Sequence, residues 1–125
     1  MTDFKLSAAT VDLDPAKGRL LLTYRLSGQE PTNGHWLVST TLVGGPDGPI
    51  QQFGFKLVDG DVVSVFLFDH VNAGQKNYTQ NPQRVGDKWT VSFPAEDVAV
   101  APGAQWRADL DVDGTERGHI EGHLN

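Results

Sequence analysis

Cysteine is absent from this 125-residue chain. The absence excludes disulfide bonds, thiolate nucleophiles and zinc sites with cysteine ligands, and it is typical of proteins from a reducing compartment. Basic residues are also scarce, with 10 Lys and Arg against 16 Asp and Glu, so the formal net charge is −6. Because a nucleic-acid-binding surface must neutralise phosphates with Lys and Arg, we do not expect a nucleic-acid partner.

Long hydrophobic runs are missing as well. The longest, Val62–Phe68, falls well short of a membrane helix, which needs about 20 apolar residues. The first residues include Asp3 and Lys5, whereas a secretory signal begins with basic residues and continues with an apolar stretch. The sequence therefore predicts a cytoplasmic protein with no membrane association.

Catalytic and cofactor motifs are also missing. The chain has no Gly-x-Ser-x-Gly nucleophile elbow, no phosphate-binding loop and no Gly-x-Gly-x-x-Gly dinucleotide motif. None of the 4 His residues stands in a pattern with a nucleophile. We expect a protein that is not an enzyme and that uses no cofactor.

What the sequence does contain is a two-residue alternation of apolar and polar side chains. Trp106, Ala108 and Leu110, for example, alternate with Arg107 and Asp109. Successive side chains of a strand point to opposite faces, so this alternation predicts half-buried β-strands. Segments rich in Gly, Pro, Asn and Asp separate the alternating runs and predict turns. The predicted strands are 4–12, 19–27, 35–43, 50–58, 62–69, 88–94, 104–112 and 116–124.

Short strands with regular turns between them are typical of an all-β protein. We predict one domain over residues 1–125, an antiparallel β-sandwich of about seven to nine strands. A closed barrel of about eight strands and a jelly roll are the alternatives. The predicted core consists of Leu20, Leu22, Tyr24, Trp36, Val38, Phe53, Phe55, Val63, Val65, Leu67, Trp89, Val91, Phe93, Trp106, Leu110 and Ile120.

The first strand changes phase, because apolar residues take one parity in Phe4–Ala8 and the other in Ala9–Leu13. This predicts a β-bulge, which would let the strand cross from one sheet to the other. Trp36 on the third strand and the segment Trp106–Gly114 resemble features of immunoglobulin-like and fibronectin type III-like domains. The resemblance implies a sandwich of that outline and, being a likeness of fold, implies no function.

The segment 62–68 is apolar on both of its faces. Strands of antiparallel sheets usually keep one face in water, and contiguous exposed apolar residues mark interaction sites. We therefore predict that Val62, Phe66 and Phe68 form a binding surface for a protein partner or a second copy of the chain. The alternative is that the following connection or a sheet edge covers them.

The longest connection, 69–84, is rich in Asn, Gln, Tyr and Thr. Long loops are often functional, and these side chains supply the donors and acceptors that a glycan or small polar ligand requires. The candidate ligand-binding residues are His70, Asn77, Tyr78 and Gln80. The alternative is a short extra strand followed by a solvated loop.

Two patterns near the end of the chain could bind a divalent cation. The run Asp109-x-Asp111-x-Asp113-Gly114 matches the first half of an EF-hand loop but lacks the closing Glu. His119, Glu121 and His123 alternate, as metal ligands on a sheet can.

A hairpin explains both patterns without a metal. With a three-residue loop 113–115, Asp111 would oppose Arg117, Asp109 would oppose His119, and Arg107 would oppose Glu121. We assign no metal site, and the sequence leaves cation binding by either set open.

Overall fold

The computed structural model describes residues 3–124, which form β-strands, connecting loops and two single-turn 3-10 helices, Pro15–Lys17 and Ala95–Asp97. None of the helices among the described residues is long and apolar enough to cross a membrane. The strands are β1 (Lys5–Asp14), β2 (Arg19–Ser27), β3 (His35–Val43), β4 (Ile50–Val58), β5 (Asp61–Asp69), β6 (Gly74–Asn77), β7 (Gln83–Val85), β8 (Lys88–Pro94), β9 (Gln105–Val112) and β10 (Thr115–His123).

These strands form two antiparallel sheets that pack together. One sheet has four strands in the order β1-β2-β8-β7, and the other has six in the order β10-β9-β3-β4-β5-β6. The predicted antiparallel sandwich is therefore confirmed, and the two sheets do not merge into one closed barrel. Each of the eight predicted strands is present, with ends that differ by at most two residues.

The core lies between the sheets and is built around aromatic rings. Trp36 contacts Phe4, Phe55 and Trp89 with ring centroids 5.1, 5.9 and 5.4 Å apart. Edge-to-face pairs of this kind add to the free energy of burying the rings. The predicted core residues are buried, except that Ile120 is partly buried against the core and Val63 is 56% exposed.

The predicted bulge in the first strand is confirmed. The pairing of β1 with β2 shifts register between Leu6 and Ala8. Ser7 lies at the shift, where its hydroxyl donates a hydrogen bond to the carbonyl of Arg25 at 3.1 Å. The expected crossing between sheets does not occur, because β1 pairs with β2 from Lys5 to Asp14.

The predicted hairpin of β9 and β10 is partly wrong. His119 opposes Asp109 and Glu121 opposes Arg107 as expected, but Glu116, not Arg117, opposes Asp111. A two-residue turn of Asp113 (φ 51°) and Gly114 (φ 88°) replaces the three-residue loop. Both residues have positive φ, as a type I′ turn requires, and that turn matches the twist of the strands.

A bulge near Gly118, where φ is 107°, takes up the extra residue of this hairpin. A Cβ on Gly118 would lie 2.9 Å from the carbonyl oxygen of Leu6, so β1 approaches β10 closely here.

Three turns meet at one end of the sandwich. The carboxylate of Asp59 accepts a hydrogen bond from the backbone N–H of Gly34 at 2.8 Å, and that of Asp113 accepts one from the N–H of His35 at 2.9 Å. The two Asp-Gly turns therefore hold the end of the β2–β3 connection between them.

Candidate functional site

The solvent side of the six-stranded sheet carries most of the residues that the sequence singled out, and we call it the outer face. Two rows of cross-strand neighbours cross it at right angles to the strands. The first row is Asp109, Ser39, Gly54, Phe66 and Asn77, and the second is Arg107, Thr41, Gln52, Phe68 and Gln75.

Phe66 and Phe68 lie beside each other on the outer face, and both rings are half-buried. The predicted alternative, in which the 69–84 connection covers them, is not what the structure contains. The connection first forms β6, which pairs beside β5 in the plane of the sheet. Its next residue, Tyr78, packs on Phe93 of the other sheet.

Val62 does not join the two phenylalanines, contrary to the prediction. The register of β4 and β5 shifts so that Lys56 pairs with Ser64 and Leu57 with Val62. Val62 therefore packs against the core, while Val63, the extra residue of the bulge, is 56% exposed. A bulge exchanges the faces of the residues on either side of it, and it leaves no trace in the sequence pattern of a segment that is apolar on both faces.

His70 is joined to the outer face by hydrogen bonds and ring contact. Its Nε2 lies 2.9 Å from Oε1 of Gln52, an arrangement in which the imidazole N–H donates. The Gln52 amide in turn donates to the hydroxyl of Ser39 at 2.8 Å. The imidazole also stands edge-on to Phe68, with centroids 4.8 Å apart.

Asn77 lies on the outer face as well, opposite Phe66. Its side-chain carbonyl accepts a hydrogen bond from the Gln75 amide at 2.8 Å. The turn before β6 is held by Asp69, whose carboxylate accepts from the backbone N–H groups of Val71 and Asn72 and from the Asn72 amide. Hydrogen bonds from Asn72 hold the pKa of Asp69 below its usual value, so the turn keeps its charged acceptor at neutral pH.

Tyr78 points to the inner side of the sheet, away from Phe66 and Phe68. Its ring packs edge-on to Phe93 at 5.1 Å, and its hydroxyl donates to Asp97 at 2.8 Å. Partial burial and the adjacent carboxylate of Asp97 raise the pKa of Tyr78, so the hydroxyl stays protonated. Tyr78 therefore closes the flank of the core, and its hydroxyl is already used in an internal contact.

Asp97 receives a second hydrogen bond, from the ammonium of Lys76 at 2.9 Å. Desolvation raises the pKa of Asp97, but the hydrogen bonds from Lys76 and Tyr78 outweigh it and hold that pKa below its usual value. The backbone carbonyl of Asp97 also accepts from the buried amide of Gln51 at 2.8 Å. These contacts fasten the flank between β6 and the end of β8.

Gln80 lies apart from the other predicted ligand residues. It lines a small cleft of about 140 Å³ on the four-stranded sheet, beside Arg19, Gln83 and Ser92. The structure thus brings His70 and Asn77 together with Phe66 and Phe68, and it places Tyr78 and Gln80 elsewhere.

The three aspartates of the EF-hand-like run do not converge. Asp111 accepts a hydrogen bond from the N–H of Gly114 at 2.7 Å, and Asp113 is bound to His35. Asp109 instead faces Arg107, whose Nε donates to it at 2.8 Å. The run is an acidic strand that ends in a turn.

One group of possible metal ligands does form, and it combines both patterns. Oxygens of Asp109 and Glu116 and a ring nitrogen of His119 lie within 4.8 Å of one another. Arg107 already supplies the positive charge there, because its guanidinium also donates to Glu116 at 2.7 Å. The hydrogen bonds from Arg107 and His119 lower the pKa of Glu116, which keeps this ion pair charged. His123 lies on the same strand and is exposed.

Sequence reasoning missed Gln52, Gln75 and Glu116 on the outer face. Only Gln52 had the exposed parity of a predicted strand, which was a usable signal. Gln75 lay in the 69–84 connection, and Glu116 had the core parity of the predicted strand 116–124. The pairing that places Gln52 beside Phe68 joins β4 to β5 with a shifted register, which no local pattern records.

Comparison with known proteins found no matching family model, no similar curated protein and no similar solved structure.

Proposed function

We propose that this protein is a non-enzymatic interaction module that associates with a second copy of itself through the outer face. The observation that carries the proposal is the position of Phe66 and Phe68, which lie side by side with no other described strand or helix packed over them. Val63 is exposed further along the same strand. Removing apolar surface from water yields about 25 cal/mol per Å², so covering this strip favours association.

A second copy suits this strip for two reasons. An apolar strip along one strand can meet itself across a two-fold axis, the commonest symmetry of protein dimers. The acidic residues of β9 lie three strands away from β5, or about 14 Å at about 4.8 Å per strand. That distance exceeds the screening length of about 8 Å at physiological salt, so their repulsion is weak at the contact.

We also propose that the sandwich is immunoglobulin-like, of the variable-domain type. In that type one sheet has strands A, B, E and D, and the other has G, F, C, C′ and C″. The orders β1-β2-β8-β7 and β10-β9-β3-β4-β5 follow the same sequence, with β6 as an added edge strand. Trp36 lies buried on β3, in the place of strand C. This likeness supports the fold alone and does not bear on the partner.

Light scattering after size exclusion tests the self-association. We expect a concentration-dependent dimer in the wild type and a monomer in Phe66→Ser/Phe68→Ser and in Val63→Asp. Val85→Ser is the matched control, because Val85 is 79% exposed on the other sheet and its replacement should leave the dimer intact. A wild type that stays monomeric at high concentration overturns the proposal. So does a dimer that persists in both Phe66→Ser/Phe68→Ser and Val63→Asp.

A small polar ligand is the second candidate for the outer face, because His70 and Asn77 lie beside the phenylalanines. Internal hydrogen bonds already occupy both ends of the Gln52 amide, which makes this candidate the weaker one. A thermal-shift screen of neutral sugars decides between the two candidates. A rise in melting temperature that is lost in Phe68→Ser favours the ligand.

Cytoplasmic location stays a prediction.

A further inference from the structure

The β2–β3 connection ends in the dipeptide Asn33-Gly34, which occurs nowhere else in the chain. Asn33 is exposed, and its side-chain amide has no hydrogen-bond partner among residues 3–124. Asparagine is one of the thermolabile residues of proteins. It is most reactive before glycine, because a residue without a Cβ leaves its backbone nitrogen open to close approach. The covalent chain can therefore change at this dipeptide.

The fold requires glycine at position 34. Gly34 has a φ of 86°, in the left-handed region that residues with a Cβ rarely adopt. A Cβ there would also lie 2.7 Å from Oδ1 of Asp113. A larger residue would be strained and would displace the Asp113 turn, so the chain keeps the residue that makes Asn33 reactive.

Two reciprocal pairs of hydrogen bonds hold the residues that follow Asn33. The Gly34 N–H donates to Oδ1 of Asp59 at 2.8 Å, and the Asp59 N–H donates to the Gly34 carbonyl at 2.8 Å. The N–H and carbonyl of His35 make the same two bonds with Asp113, each at 2.9 Å. Of these two pairs, the first engages the backbone nitrogen that would attack the Asn33 side chain.

We propose that Asn33 is a deamidation site whose reaction is slowed by the hydrogen bond from Gly34 to Asp59. In this reaction the Gly34 backbone nitrogen loses its proton and bonds to Cγ of Asn33. The bond from Cγ to the side-chain nitrogen breaks, and that nitrogen takes up the proton and leaves as ammonia. Water then opens the resulting succinimide ring, which leaves aspartate or isoaspartate at position 33.

Asp59 slows the reaction in two ways. Its carboxylate accepts a charge-assisted hydrogen bond from the N–H whose proton must leave, and its negative charge disfavours the anion that this nitrogen becomes. The pairing also holds the Gly34 nitrogen in place, so attack requires a local opening of the turn. The product adds a carboxylate near those of Asp59 and Asp113, so modification would weaken this end of the sandwich by repulsion between like charges.

Peptide mapping by mass spectrometry tests the proposal after incubation at neutral pH and physiological temperature. We expect Asn33 to react more slowly in the wild type than in a free peptide of residues 30–37. Asp59→Gly removes the carboxylate and keeps a residue that accepts the positive φ of 50° at this position. It should speed the reaction by about fivefold or more, the factor that one exposed hydrogen bond contributes to local opening.

Asp113→Gly is the matched control. It removes the same kind of residue from the other turn, at a φ of 51°, and leaves the Gly34 N–H bound to Asp59. It should speed the reaction much less than Asp59→Gly does. The proposal is overturned if the wild type reacts as fast as the peptide, if Asp59→Gly leaves the rate unchanged or lowers it, or if the control raises it equally.

Hydrogen exchange of the wild type gives a second test, which decides the matter if Asp59→Gly does not fold. The Gly34 amide should be protected to a degree similar to that of His35, which is held in the same way. Exchange of the Gly34 amide at the rate of an unstructured peptide contradicts the proposal. Phe66→Ser/Phe68→Ser should leave the deamidation rate unchanged, which separates this test from that of self-association.

Discussion

The hydrogen bond between Tyr24 and Thr40 gives the sharpest test of the folded core. Both side chains are fully buried, and their hydroxyl oxygens lie 2.7 Å apart across the two sheets. Burial raises the pKa of Tyr24 well above its usual value, partly offset by the hydrogen bond to Thr40, so the phenol stays neutral. Within residues 3–124, neither hydroxyl has another hydrogen-bond partner.

Removing one hydroxyl of this pair should cost more stability per hydroxyl than removing both. Tyr24→Phe leaves the Thr40 hydroxyl buried without a partner, which should lower the free energy of unfolding by about 1–3 kcal/mol. Thr40→Val strands the Tyr24 hydroxyl and should have a similar cost. In the double variant no polar group is stranded, so its loss should fall short of the sum by about 1–2 kcal/mol.

Urea denaturation followed by tryptophan fluorescence measures these differences, since Trp36 and Trp89 are buried in the same core. A shift of the midpoint with an unchanged slope reports stability alone. For a chain of this size, each kcal/mol also shifts the melting temperature by about 3–5 °C. Ser7→Ala, which removes an exposed hydrogen bond, is the control and should change stability by less than about 0.5 kcal/mol.

A double variant whose loss of stability equals the sum of the two single losses would refute this reasoning. That result would mean that each hydroxyl finds another partner when its neighbour is removed, so that neither is stranded.

Two further predictions concern stability. Gly54→Ala should cost about 2 kcal/mol in unfolding free energy, because an added Cβ would lie 2.4 Å from the carbonyl oxygen of Val38 and 2.6 Å from the Ser39 Cβ. Gly74→Ala, where a Cβ meets nothing within 4 Å, should be nearly neutral, and equal losses at both sites would contradict the packing argument. Because the pKa of Asp97 is depressed on folding from 3.8, its stabilisation is present above that pH and is lost as the pH falls below it. Asp97→Asn should therefore flatten the acid side of a stability-versus-pH curve, and an unchanged curve would show that the carboxylate is not linked to folding.

The strands were predictable because the protein alternates apolar and polar residues wherever one face of a strand meets the core. The same rule explains why two short strands are absent from the predicted set, although the alternative for the 69–84 connection did allow one extra strand there. Gly74–Asn77 and Gln83–Val85 are exposed on both faces, so burial imposes no alternation on them. They are strands only because β5 and β8 offer them backbone partners.

The candidate sites were predictable only in part. The outward position of Phe66 and Phe68 followed from parity. Val62 was misplaced because a bulge leaves no pattern in a segment that is apolar on both faces. The pairing of β2 with β8 was not foreseen, because β8 lies more than 60 residues further along the chain. A single sequence records which side a residue faces but not which distant strand will lie beside it.

The first and last described strands leave the sandwich in opposite directions. Lys5 pairs with Ser27 at the end where the Asp-Gly turns clasp Gly34 and His35. Leu124 is pinned to Gly103 and Ala104 at the far end. A pull applied to the two ends would load β1 and β10 along their lengths, so their ladders would have to slide as a whole rather than unzip bond by bond. Single-molecule stretching between these two strands should therefore register a high rupture force.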